Sequence, residues 1–142
     1  MTDLDLAALV ATMPFAVHSG VEITASSRDA VVGHLDWSEE RCTTGGLMHG
    51  GALMTLADSA GAVCAFLNLP AGAGTSTIDS SVSFLRGVRS GTARAVSRPL
   101  RAGRSVIVVR TEITDDDGRL AVHVVQSQAV VQPRGTDDQK GR

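Results

Sequence analysis

A chain of 142 residues and 14.7 kDa, 43% apolar and 20% charged, has the size and composition of one packed domain. Its formal net charge of −2 argues against nucleic acid or anionic lipid as an electrostatic partner. Aromatic residues make up 3%, with no Tyr, three Phe and Trp37 alone, so stacking surfaces for bases are not expected and core volume must come from Val, Leu, Ile and Ala.

Cys42 and Cys64 stand outside any CxxC or Cys/His cluster, a usage that fits a reducing cytosol. No run approaches the ~20 apolar residues of a membrane span. Asp3 and Asp5 stand where a signal peptide would carry positive charge. A soluble cytoplasmic protein is expected. The segment 133–142 is polar and mixed in charge, and reads as a disordered tail.

The first element expected is a helix over 2–12, with Thr2 as N-cap, Asp3 and Asp5 in its first turn and an end before Pro14. Two strands follow, 21–25 and 30–37, around a Ser26–Asp29 turn. In the second, Val31, Gly33, Leu35 and Trp37 share one face, with His34 and Asp36 on the other. A glycine-rich loop, Thr43 to Gly51, then runs directly into the strongest helix, about 50–68. There Leu53, Leu56, Ala57, Ala60, Val63, Cys64 and Leu67 repeat at helical spacing, and most other positions are small. The segment 70–74 closes it. Strands are expected at 77–85, with Ile78, Val82 and Phe84 alternating with polar residues, and at 92–100, 106–114 and 120–131, the last two joined by an Asp117-Gly118 turn. Two strands, a long helix and four antiparallel strands make an α+β architecture with the helix as its filling.

The glycine loop lacks the spacing of a P-loop or a dinucleotide fingerprint. It still leaves free N–H groups and the positive end of a helix dipole facing outward, suited to an oxyanion that forms on a carbonyl under attack. Asp58 is the only acidic residue of that helix. Set among apolar neighbours it would be primed to act as base or nucleophile; the alternative is that it faces water. Gly50 and Asp58 are eight residues apart, ~12 Å along a helix, too far for both to reach one carbonyl carbon easily. A site using both therefore needs two copies of the chain, with antiparallel helices across a two-fold axis.

The run 49–58, HGGALMTLAD, resembles the HGGxxxxxxD signature of hotdog-fold acyl-CoA thioesterases of the phenylacetic acid degradation type. The strand 76–86, STIDSSVSFLR, resembles the family's following strand, and Ala102-Gly103-Arg104-Ser105 its Gly-Lys/Arg hairpin. The likeness spans about 14–132. It implies a hotdog fold, one long central helix wrapped by an antiparallel sheet of about five to six strands, over 1–132. It also implies hydrolysis of a small or medium acyl-CoA to the acid and CoA, without metal or other cofactor, by a homodimer at least and a homotetramer as the family assembles.

By the same resemblance, the Gly50 N–H serves the thioester oxygen, and Asp58 of the facing subunit activates water or attacks directly. Thr77 helps to place that water, and His49 orients the loop. Thr43, Gly51, Arg86, Arg104 and Ser105 fall to substrate binding. Two departures stand out: Thr43 occupies a position where the family often has Asn, and Gly87 one where it often has Pro.

Plainer roles compete with these. His49 can simply cap the helix. Arg86, Arg101 and Arg104 can bind CoA phosphates or remain solvated. His18, His34 and His123 have no metal-ligand spacing, and the Asp115–Asp117 turn lacks further calcium ligands. Hydratase relatives carry a His where this chain has Val63, which argues against dehydration. A non-catalytic acyl-CoA-binding module is the alternative function.

Overall fold

The computed structural model describes residues 5–133. The expected Thr2 cap lies outside them, as does the expected tail apart from Pro133. The N-terminal segment is two short helices rather than one, α1 (Leu6–Ala11) and α2 (Pro14–Ser19). Asp5 caps α1, accepting from the Ala8 N–H at 3.1 Å. Pro14 does not only end α1. It opens α2, because a helix's first turn needs no donor from its leading residues and proline's fixed φ suits it.

Six strands follow the expected order: β1 (Glu22–Ser26), β2 (Val31–Asp36), β3 (Gly74–Phe84), β4 (Thr92–Ala102), β5 (Val106–Thr114) and β6 (Leu120–Val131), with α3 (Gly50–Leu67) between β2 and β3. They form one antiparallel sheet in the order β1-β2-β4-β5-β6-β3. The sheet packs along α3 through strands from both of its halves. This is the hotdog arrangement expected from the sequence.

The core is aliphatic. Leu53, Leu56, Val63 and Cys64 of α3 meet Val31, Leu35, Ala93, Ala95, Ile107, Val109, Ile113, Val122 and Val124 of the sheet. Among the described residues no aromatic ring is fully buried in the core. The small residues of α3 explain why none is needed: strands approach the helix closely, and aliphatic side chains fill the space. By length and hydropathy alone α3 would pass for a membrane span, yet half of it is buried within the fold. Asn68 ends it, donating from Nδ2 to the Cys64 carbonyl and to the Arg28 carbonyl, both at 2.9 Å.

β3 departs from its expected alternation. A register shift between Thr77 and Asp79 inserts Ile78 as an extra residue opposite β6, a β-bulge. The bulge shifts the parity of the strand, so Thr77, Ser80 and Val82 line the same cavity while Ile78 is 56% exposed. Phe84 is also exposed, at 52%, and among the described residues no strand lies beyond β3.

Candidate active site

The loop before α3 is fastened by contacts from its own neighbourhood and by a few longer ones, among them the Met48 N–H donating to the Val88 carbonyl at 2.8 Å. Gly45 and Gly46 take φ of 78° and 75°, left-handed values that favour glycine. The Trp37 indole N–H donates to the Gly46 carbonyl at 3.0 Å, giving the lone tryptophan an anchoring role. Arg41 ties the same region to α2: its Nε donates to the Ser19 carbonyl at 2.8 Å, its Nη1 to the Asp36 carbonyl at 3.0 Å. Its own carbonyl accepts the His49 N–H at 2.7 Å.

His49 is the N-cap of α3, its Nδ1 accepting the Gly51 N–H at 2.8 Å. This is the capping role, and it consumes one of the helix's free donors. A Cβ on Gly51 would stand 3.0 Å from that Nδ1, so the second glycine lets the imidazole close over the helix start. Gly50 lies against Phe84, 3.1 Å from ring carbon to the place of a Cβ. Among the described residues its N–H has no acceptor. That donor, at the positive end of an 18-residue helix, is available to an incoming oxygen.

Asp58 is not buried among apolar side chains. It is exposed along α3 and held by polar groups from the sheet. The Thr77 hydroxyl donates to Asp58 Oδ1 at 2.9 Å, and Gln126 Nε2 to the same oxygen at 3.3 Å. Gln128 Nε2 donates in turn to Thr77 Oγ1 at 2.8 Å, and the Thr75 hydroxyl to Gln128 Oε1 at 3.2 Å. A threonine hydroxyl has one proton. With its lone pairs facing the Gln128 amide, that proton is directed at Asp58. The chain Thr75–Gln128–Thr77–Asp58 thus has one direction.

The two buried glutamines, Gln126 and Gln128, are the functional candidates that sequence reasoning missed. Their signal was available. They sit two apart on a strand whose same-face neighbours, Val122 and Val124, are buried, and buried amides need partners.

The predicted residues fall around separate concavities. Asp58 and Thr77 line one of about 430 Å³ with Gly51, Met54, Ser80 and Val82. Gly50, Thr43 and Arg86 line another of about 300 Å³ with Leu47, Phe84 and Gly87. Arg101, Arg104 and Ser105 line a third, of about 670 Å³, at the β4–β5 hairpin. Within one chain the structure therefore brings Thr77 to Asp58 but lodges Gly50 in a different hollow. No group of three or more His, Cys, Asp or Glu side chains suited to a metal occurs among the described residues.

The sequence profile of the Thioesterase superfamily matches residues 45–122, more than half of the chain. The chain belongs to that superfamily. Over 102 residues, 72% of this chain and 74% of the relative, this thioesterase is 30% identical to the proofreading thioesterase EntH of Cronobacter turicensis. It is 36% identical over 75 residues to the 1,4-dihydroxy-2-naphthoyl-CoA hydrolase of Escherichia coli, covering 53% of this chain and 55% of that one. Among solved structures, a mutant thioesterase of Pseudomonas aeruginosa superposes with a TM-score of 0.85 at 26% identity, over 92% of this chain and 96% of that one. The fold is shared with a Haemophilus influenzae thioesterase at a TM-score of 0.88 and 24% identity, over 96% of each chain. The chain is a thioester hydrolase.

Proposed function

We propose that the chain hydrolyses a small or medium acyl-CoA to the free acid and CoA, with each active site assembled from two copies. The observation that carries this is the division of the chemistry within one chain. A free N–H at a helix start lies in one hollow, and a carboxylate with an oriented hydroxyl lies in another. Oxyanion stabilisation and attack must converge on one carbon, and a two-fold pairing of chains brings the halves together.

β3 supports such a pairing. It is an 11-residue edge strand with exposed Ile78 and Phe84, and edges of that kind are normally covered or paired. A second copy laid along β3 would complete the sheet across the two-fold axis, and two such dimers would make a tetramer.

In this mechanism the thioester carbonyl oxygen accepts from the Gly50 N–H of one copy, and the dipole of α3 stabilises the charge that develops there. Asp58 of the other copy takes the proton of a water that attacks the carbon, or attacks it directly to form an anhydride that water then cleaves to the acid and the free carboxylate. Thr77 fixes the carboxylate, and the thiolate of CoA leaves. His49 holds the loop that presents Gly50. Arg86, Arg101, Arg104 and Ser105 supply cationic and hydroxyl groups at two rims where the CoA phosphates would lie. Thr43 lines the Gly50 hollow and would contact the thioester end, as would Gly51. No metal or other cofactor enters any step. The free thiols of Cys42 and Cys64 favour a cytoplasmic setting.

A panel of acyl-CoA esters, read by thiol release, tests the proposal. Turnover of at least one ester is expected, with Asp58→Asn abolishing most of it; full activity in that variant contradicts the mechanism.

A further inference from the structure

We infer that Gln126 is the positioning residue that fixes the reacting carboxylate, and that Gly61 is a glycine in order to admit it; this rests on the hydrolytic role proposed for Asp58. Gln126 is fully buried, yet its amide is only half satisfied. Nε2 donates to Asp58 Oδ1 at 3.3 Å, while Oε1 has no hydrogen-bond partner among the described residues. A buried acceptor without a donor costs stability, and an aliphatic side chain would fill the same space without that cost.

The helix makes a second concession at the same place. A Cβ on Gly61 would collide with Gln126 Oε1 and stand 2.6 Å from its Cδ and 2.9 Å from its Nε2. Glycine is a poor residue for a helix interior. Two unfavourable choices, on α3 and on β6, thus meet at one amide. What they jointly achieve is a donor aimed at Asp58.

The geometry gives that donor a task. Thr77 from β3 and Gln126 from β6 both donate to Oδ1. With one carboxylate oxygen holding two donors, rotation of the group is restrained and Oδ2 is left as the oxygen that meets water or the thioester carbon. The bulge at Ile78 sets the two donors side by side: Thr77 pairs with Gln128 and Ser80 with Gln126. Gln126 acts through Asp58 and has no need to touch substrate.

The test is a set of three variants of the full chain, Gln126→Ala, Gly61→Ala and the double, assayed on the best acyl-CoA of the panel with thermal unfolding as the folding control. Each single variant is expected to lower kcat about tenfold with KM within about twofold, since a donor to a charged group is lost but no substrate contact. In the double variant Gly61→Ala should add nothing to the loss from Gln126→Ala, because the atoms it would displace are already gone. A structural role would instead give losses that multiply, or a KM that rises with the fall in kcat. Either result, or wild-type kcat in the single variants, overturns the inference. Should Gln126→Ala fail to fold, Gly61→Ala decides alone by the same split, because alanine is itself favourable in a helix. A wild-type chain with no turnover on any ester would defeat the hydrolase proposal and this one together; turnover unaffected by these variants defeats this one only.

Discussion

The start of α3 is held largely by the loop that leads into it, with a few longer ties, whereas Asp58, about two turns further along, is held wholly by strands that follow the helix. His49 caps the helix two residues away, the Gly46 carbonyl is fixed by Trp37, nine residues back, and Arg41 steadies the approach. Asp58 depends on Thr77, 19 residues on, and on Gln126, 68 residues on. The helix start is capped chiefly from within its own loop, although Ser19, Phe84 and Val88 also bear on it; the carboxylate's position exists only once the sheet has closed over the helix. The oxyanion half of the site should thus be less sensitive than the carboxylate half to changes in β6.

The largest effect should come from the carboxylate. Asp58→Asn is expected to lower kcat about a thousandfold without lowering the melting temperature, since the side chain is exposed; steady-state kinetics with a melt checks both. Next, Thr77→Val should reduce kcat about tenfold by removing a charge-assisted hydrogen bond. Thr77→Ser, which keeps the hydroxyl, should stay within about threefold.

At the helix start the expectation reverses. His49→Ala removes an N-cap worth about 1 kcal/mol, so the melting temperature should fall by about 3 °C in a chain of this length. Its kcat should drop less than that of Thr77→Val. A larger kcat loss than Thr77→Val would mean that the imidazole touches substrate as well.

The smallest effect concerns the thiols. Burial pushes Cys64 from 9.0 up to about 11, with Arg98 opposing. The folded state therefore keeps that proton where the unfolded chain has lost it, and stability declines as pH rises from 9 towards 11. A thiol reagent at pH 8 should label half-buried Cys42 and leave buried Cys64 unlabelled until the chain unfolds; labelling of Cys64 in the folded protein would contradict its packing.

The same contrast explains what could be read from the sequence. The long helix, the β5 and β6 strands and the glycine loop declare themselves through local periodicity and turn chemistry, and the observed bounds of β5 and β6 are the expected ones. Thr77 was singled out by family resemblance as a residue that places water, not by spacing, and its hydrogen bond to Asp58 is visible only in the fold. What stayed hidden was non-local. The bulge at Ile78 inserts one residue against a partner strand some 50 positions away, which no alternation pattern within β3 can reveal. Gln126 and Gln128 look like polar positions of a half-exposed strand until α3 and β3 are seen to bury them. Pro14 misled differently: the same residue ends one helix and suits the first turn of another, and only the chain's path after it decides.

The central claim, that one copy supplies Gly50 and another Asp58, is tested most directly by mixing two dead variants. Asp58→Asn removes the carboxylate. Gly50→Pro removes the N–H at a helix position that accepts proline, and His49 before it is already extended, with ψ of 135°, as a residue preceding proline requires. Each variant alone should be inactive. After unfolding and refolding together in equal amounts, mixed dimers should carry one intact site, restoring about a quarter of wild-type activity by random pairing of two-fold partners. No recovery, from variants shown to fold and to exchange subunits, would mean that both residues act within one chain and would contradict the account.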